Sequence, residues 1–105
     1  MKTFIQISTT TATKEEAQKI ARYLIEQKLA ACAQILGPIE STYVWKDKVE
    51  TAGEWLCLIK TREALFDKVA NAIKKLHPYE TPEIIAVPIK QGSAQYLQWI
   101  EHSLI

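Results

Sequence analysis

The chain is poor in the residues that build phosphate loops and cysteine scaffolds. It has three Gly, four Pro, two Cys and one Met in 105 residues. Three glycines are too few for a glycine-rich phosphate cradle, and no GxGxxG, GxSxG or Walker A run occurs. The two cysteines, Cys32 and Cys57, form no CxxC pair, which excludes a zinc ribbon or a dense disulfide framework and fits a reducing cytoplasm. Charge of one sign is also missing: 13 Lys plus Arg against 12 Asp plus Glu leave a net +1. Such a chain has no general field for gripping nucleic acid or anionic lipid, and little repulsion between copies of itself. No apolar run approaches the roughly 20 residues of a membrane-spanning helix. Gln6 interrupts the short apolar start, so a signal peptide's continuous hydrophobic stretch is absent. The expectation is one cytoplasmic domain over residues 1–105 with no nucleic-acid or membrane partner.

The residues present give clear periodicities. Thr3 to Thr9 alternates as a strand does, and the small polar run Thr9–Ala12 is expected to end it. Thr13-Lys14-Glu15-Glu16 is a capping box, and Ala17, Ile20, Ala21 and Leu24 behind it fall on one helical face, so a helix runs to about Lys28. An extended run from Ala31 to Leu36 bends at Gly37-Pro38. Ile39 to Lys46 alternates again, Lys46-Asp47-Lys48 reads as a hairpin tip without its usual Gly, and Val49 to Thr61 returns. Thr61 is expected to cap a second helix, with Leu65, Val69, Ala72, Ile73 and Leu76 as its stripe, and Pro78 stops it. Ile84 to Ile89 reads as a short strand that Pro88 confines to an edge or a bulge. Ser93 caps a last helix with Tyr96, Leu97, Ile100 and Leu104 on one side.

The order β-α-β-β-α-β-α is an α+β plan. It predicts a ferredoxin-like split βαβ sandwich with a long hairpin between its second and third strands and an extra C-terminal helix. The hairpin arms are too long for the helices, and the excess should overhang them by roughly 10–15 Å. A bare two-stranded ribbon is marginal in water and its edges invite pairing. A homo-oligomer formed through this arm is the physical expectation.

The densest run of chemically capable side chains is His77-Pro78-Tyr79-Glu80-Thr81-Pro82-Glu83, where two prolines hold an imidazole, a phenol and two carboxylates in few conformations. Imidazole, carboxylate and thiolate suit copper or another divalent cation, which makes His77, Glu80 and Cys32 candidate metal ligands. The alternative is that the prolines only shape a connection, that Cys32 and Cys57 are core residues, and that Tyr79 and Glu80 lock a neighbouring subunit. Lys60 closes an apolar strand and either snorkels, pairs with Glu80 or Glu83, or holds an anion. Tyr43, Trp45 and Trp55, at alternate strand positions, form either a stacking platform or a packing surface. Tyr43 and Trp45, with Lys60, Tyr79 and Glu83, are candidates for a cleft between subunits. Neither an organic cofactor nor a catalytic residue is indicated, and the chain does not read as an enzyme.

Taken in order, Leu29-Ala30-Ala31-Cys32, Tyr43-x-Trp45, Ile59-Lys60-Thr61, His77-Pro78-Tyr79-Glu80-Thr81-Pro82-Glu83-Ile84 and Tyr96-Leu97-x-Trp99 resemble the CutA divalent-cation tolerance family over nearly the whole chain. The resemblance implies a ferredoxin-like subunit in a tight homotrimer like the PII signalling proteins. It also implies a cytoplasmic role in tolerance to copper and other divalent cations, with no established reaction. In members described as copper binders, the ligands resemble a cysteine at the end of the first strand and a His-His pair before the proline. Thr9 and Leu76 stand there in this chain and only His77 matches; Gln34 also replaces a frequent Asn. Loss of two soft or borderline ligands should weaken copper binding greatly unless Cys32 or Glu80 substitutes. The second functional expectation is a PII-like scaffold, or a sensor of a small molecule or anion, acting through clefts between subunits.

Overall fold

The computed structural model describes residues 2–105. Strand β1 (Phe4–Thr11) leads to helix α1 (Lys14–Glu26), then to the long strands β2 (Cys32–Trp45) and β3 (Lys48–Arg62). A 3-10 turn (Glu63–Leu65) precedes α2 (Phe66–Leu76), followed by β4 (Ile85–Pro88) and α3 (Ala94–His102). The sheet order is β2-β3-β1-β4 with every neighbouring pair antiparallel, which is the ferredoxin-like arrangement. Pro88 lies on the edge strand, opposite Ile5, where a missing donor costs no internal ladder bond.

The core lies between one sheet face and α1 and α2. From the sheet come Ile5, Ile7, Cys57 and Ile59; from the helices Ala17, Ile20, Leu24, Val69 and Ile73, all buried. The capping box forms as expected: Thr13 Oγ1 accepts from Glu16 N at 3.1 Å, and Glu16 Oε1 accepts from Thr13 N at 3.0 Å. Ser93 caps α3 by accepting from Tyr96 N at 3.2 Å. On α3 only Ile100 is fully buried, while Tyr96 stays 40% exposed, so the expected four-residue stripe is narrower than its spacing suggests. Arg62 Nη1 and Lys2 Nζ, at 2.8 and 2.6 Å from Glu101 Oε1, tie α3 to the sheet and the chain start. The Lys2 hydrogen bond, helped by the charge of Arg62, holds the Glu101 carboxyl below its ordinary range.

Two expectations are corrected. Thr9, Thr10 and Thr11 do not end β1 but continue it, paired to Cys57, Leu56 and Trp55, and all three are buried. β-branched threonine suits a pleated, half-buried surface, so these residues extend the strand despite their hydroxyls. Thr61 does not cap α2, because its hydroxyl donates to the Leu29 carbonyl at 2.6 Å and its backbone stays in β3. The helix opens instead through the 3-10 turn, at Leu65, with no side-chain cap.

The hairpin runs well past the rest of the sheet. β1 accompanies β3 only as far as Trp55, so the arm from Trp55 to the Lys48 end has β2 as its sole neighbour over roughly 23 Å at about 3.3 Å per residue. The molecule is accordingly elongated, 44 × 25 × 22 Å, with a radius of gyration of 14.3 Å. A compact chain of this length has about 13 Å. The tip turns through Lys46 and Asp47 at φ 51° and 67°, the two positive values that a two-residue primed turn requires. β2 carries a bulge: Leu36 faces Leu56 but Ile39 faces Glu54, one extra residue against β3. Gly37 sits in it because a Cβ there would lie 2.6 Å from Trp55 Cε3.

Candidate functional site

The sheet face opposite α1 and α2 is covered only in part, by α3. Where the hairpin leaves the sheet on this side, the segment 77–83 folds over it and encloses a cleft of about 630 Å³. Ser41, Tyr43 and Trp45 line it from β2, Glu54 from β3, and Tyr79, Glu80 and Glu83 from the segment, with Thr10 at its inner end. The lining contains three carboxylates and no Lys, Arg or His.

His77 is the hinge of this segment and is buried at 7% exposure. Pro78 forces it out of the helix, to φ −87° and ψ 131°. Its Nε2 lies 2.6 Å from the Thr10 carbonyl, which only accepts, so Nε2 carries the proton. Its Nδ1 accepts the Tyr79 backbone N–H at 3.2 Å, which fixes the neutral tautomer and uses the remaining lone pair. Tyr79, its ring 4.6 Å from the imidazole, then donates its phenol proton to Glu54 Oε2 at 2.9 Å. A chain of hydrogen bonds thus runs from β1 through His77 and Tyr79 to β3. Burial, then the hydrogen bond to Glu54 and its negative charge, push the Tyr79 phenol well above its ordinary value.

The sign of that shift gives a measurable effect. The unfolded chain releases the Tyr79 proton near the ordinary value of 10.0, before the folded protein does, so stability falls as pH rises above that value. Tyr79→Phe should lose this part of the alkaline slope in urea melts between pH 9 and 11. At neutral pH the same variant should be about 1–3 kcal/mol less stable, because Glu54 loses its donor. An alkaline slope equal to wild type would show that the phenol is not what titrates.

Of the five residues expected at a cleft between subunits, Tyr43, Trp45, Tyr79 and Glu83 line this cleft within one chain, together with Glu80, while Trp55 packs against the core on the helix side, under Lys14. Lys60 is left out. Lys60 Nζ donates to Gln34 Oε1 at 3.0 Å and to the Tyr96 hydroxyl at 3.4 Å, and it pairs with neither Glu80 nor Glu83. Of the candidate metal ligands, His77 and Glu80 share one segment while Cys32 is remote. Cys32 faces Lys60, whereas the Thr10 that His77 holds faces Leu56, four residues along β3 and roughly 13 Å away. Among the described residues no group of three or more His, Cys, Asp and Glu is gathered to hold a metal. Within one chain a closed site of His77, Glu80 and Cys32 does not fit this geometry. Cys57 is the core thiol expected of it, its pKa pushed up to about 11 by burial and then by the Cys32 charge.

With the geometry in place, the comparison with known proteins is direct. The profile of the CutA1 divalent ion tolerance protein family matches residues 5–103. The chain belongs to the CutA1 family. It is 42% identical over 104 residues to the divalent-cation tolerance protein CutA of Archaeoglobus fulgidus, covering 99% of each chain. It is 44% identical over 99 residues to the chloroplastic protein CutA 1 of Oryza sativa subsp. japonica, covering 94% of this chain and 56% of the relative. The chain thus spans little more than half of the plant relatives, 56% and 54% of their length in rice and Arabidopsis thaliana. The crystal structure of CutA1 from Oryza sativa superposes with a TM-score of 0.95 at 43% identity, covering 98% of this chain and 94% of that one. The periplasmic divalent cation tolerance protein CutA from Archaeoglobus fulgidus gives 0.91 at 42% identity, covering 98% of both.

The Archaeoglobus fulgidus relative is named for tolerance to divalent cations and its structure is described as periplasmic, the two plant relatives are named as chloroplastic, and none of these names describes a reaction. Among the described residues of this CutA1 family member, no helix is long and apolar enough to cross a membrane. Sequence reasoning missed Glu54, only 6% exposed, as a site residue. Its signal was an acidic residue in step with Leu56 and Leu58 on a strand, which reads as a solvated position until the Tyr79 phenol is known to close over it.

Proposed function

We propose that the protein acts as a cytosolic homotrimer in divalent-cation tolerance. It meets copper or another divalent cation weakly, chiefly through Glu80 with Glu83 beside it, and carries out no reaction. One observation carries this reading: both ring nitrogens of His77 are engaged within the fold, and with Cys32 remote along the sheet this leaves the exposed Glu80 as the ligand of the expected trio that is free at the cleft. One or two carboxylates without imidazole or thiolate make a shallow, oxygen-only site with little copper selectivity. Assembly is supported by the apolar surface that one chain leaves open. Val44 and Val49, paired near the hairpin tip, are 68% and 74% exposed, and Leu36, Ile85, Val87 and Trp99 lie open beside the sheet. The number three follows the PII-like architecture. A cleft of carboxylates without a basic residue offers an anion no partner, so the anion-sensor alternative draws no support from it.

Calorimetric titration with Cu(II) and Mn(II) tests the metal reading. Wild type and Cys32→Ser should give the same weak isotherm, and Glu80→Gln with Glu83→Gln should lower the affinity by about tenfold. Tight stoichiometric binding that Cys32→Ser abolishes would overturn it, as would a Glu80→Gln/Glu83→Gln isotherm equal to wild type.

A further inference from the structure

The cleft under the hairpin has a second chemical character that divalent-ion binding does not use. Its walls are aromatic as well as acidic: Tyr43 and Trp45 are 43% and 41% exposed toward it, and Tyr79 is 36% exposed. At about 630 Å³ it is larger than a bare metal ion needs and falls in the range of small-molecule sites. At its floor Glu54 is 94% buried, 6% exposed, with Oε2 held by the Tyr79 phenol and Oε1 without a hydrogen-bond partner among the described residues. The phenol proton is committed to Glu54, so Tyr79 presents its ring to the cleft while its hydroxyl orients the carboxylate. The Trp45 indole already attracts a cation within the chain, Lys46 Nζ at 5.9 Å from its centre.

Aromatic faces attract cations through their quadrupole, carboxylates attract them through charge, and an alkyl chain is best matched by the flat apolar walls between the two. A bare divalent ion gains little from the rings, and a neutral apolar molecule leaves the charge of the buried carboxylate unmatched. The geometry points to a binding site for an organic cation, an alkylammonium or guanidinium group whose charge meets Glu54, Glu80 and Glu83 and whose carbon chain lies against Tyr43 and Trp45. This inference does not rest on metal binding at Glu80. The group comes either from a free small amine or from a Lys or Arg side chain of a second copy.

The test uses n-butylammonium, with n-butanol and butyrate as neutral and anionic controls of the same shape, read by amide and indole NMR shifts of the full-length protein. Butylammonium should produce saturable shifts confined to Tyr43, Trp45 and the 79–83 segment, and butanol and butyrate none. Glu80→Gln/Glu83→Gln, at exposed positions, should weaken the response by about tenfold. If a basic side chain of a second copy fills the cleft, wild type will not respond. Carbodiimide should then join Glu80 or Glu83 to a lysine of another copy, located by mass spectrometry. Equal response to butanol, an undiminished response in the double variant, or neither saturable shift nor intersubunit crosslink would overturn the assignment. The metal titration reads a different ligand, so either result can fail without the other.

Discussion

The Val44→Lys/Val49→Glu double variant is expected to sediment as a folded single chain, and wild type as the proposed trimer. The two valines face each other across the hairpin and are the most exposed large apolar residues in it, at 68% and 74%. Lys and Glu on opposed strands attract each other, so the ribbon keeps its pairing while losing its apolar surface. Each valine buried in an interface contributes roughly 1.5–3 kcal/mol, so their joint loss should raise the dissociation constant by a factor on the order of 10² or more. Circular dichroism should remain native, because the core lies about 20 Å away at the other end of the arm. A variant that stays trimeric at micromolar concentration would shift the interface from the tip to the open sheet face around Leu36, Ile85 and Val87.

Ile59→Ala should produce the largest loss of stability from one substitution. Ile59 is fully buried in the central strand, flanked by Ile7 on β1 and Ala33 on β2, and covered by α1 and α2. Ala33 is already small and cannot move into the space, so the cavity should persist. Such truncations cost about 2–5 kcal/mol, and Ile59→Val about 0.5–1.5. Urea unfolding should show a lower midpoint with an unchanged slope. A cost below about 1 kcal/mol for the alanine variant would mean that the helices collapse onto the sheet.

Much of this architecture was legible before any coordinates. The capping box at Thr13, the helix stop at Pro78, the tip at Lys46-Asp47 and the edge position of Pro88 each rest on a local rule, and local rules need no partner to be read. What was misread depended on distant residues. Thr61 satisfies every local requirement of a helix cap, yet its hydroxyl finds the Leu29 carbonyl first. Thr9 to Thr11 look like a turn until Trp55, Leu56 and Cys57 are laid beside them. The cleft was half legible: the rigid HPYETPE segment and the aromatic face of the hairpin stood out, but not that they meet at Glu54. Lys60 and Cys32 looked chemically apt and lie elsewhere, since type and spacing say nothing of which strand positions become neighbours.

The bulge between Leu36 and Ile39 has a consequence for what lines this site. Side chains alternate along a strand, so one extra residue reverses the phase of everything that follows it. Before the bulge, even-numbered residues of β2 share the face of Leu56 and Leu58; after it, odd-numbered ones share the face of Glu54. Tyr43 and Trp45 look into the cleft only because of that reversal. The same residues in an unbulged ladder continued from Leu36 and Leu56 would set Val44, rather than Tyr43 and Trp45, on the face of the carboxylates. The bulge thus decides, from outside the cleft, which side chains of the hairpin meet its carboxylates.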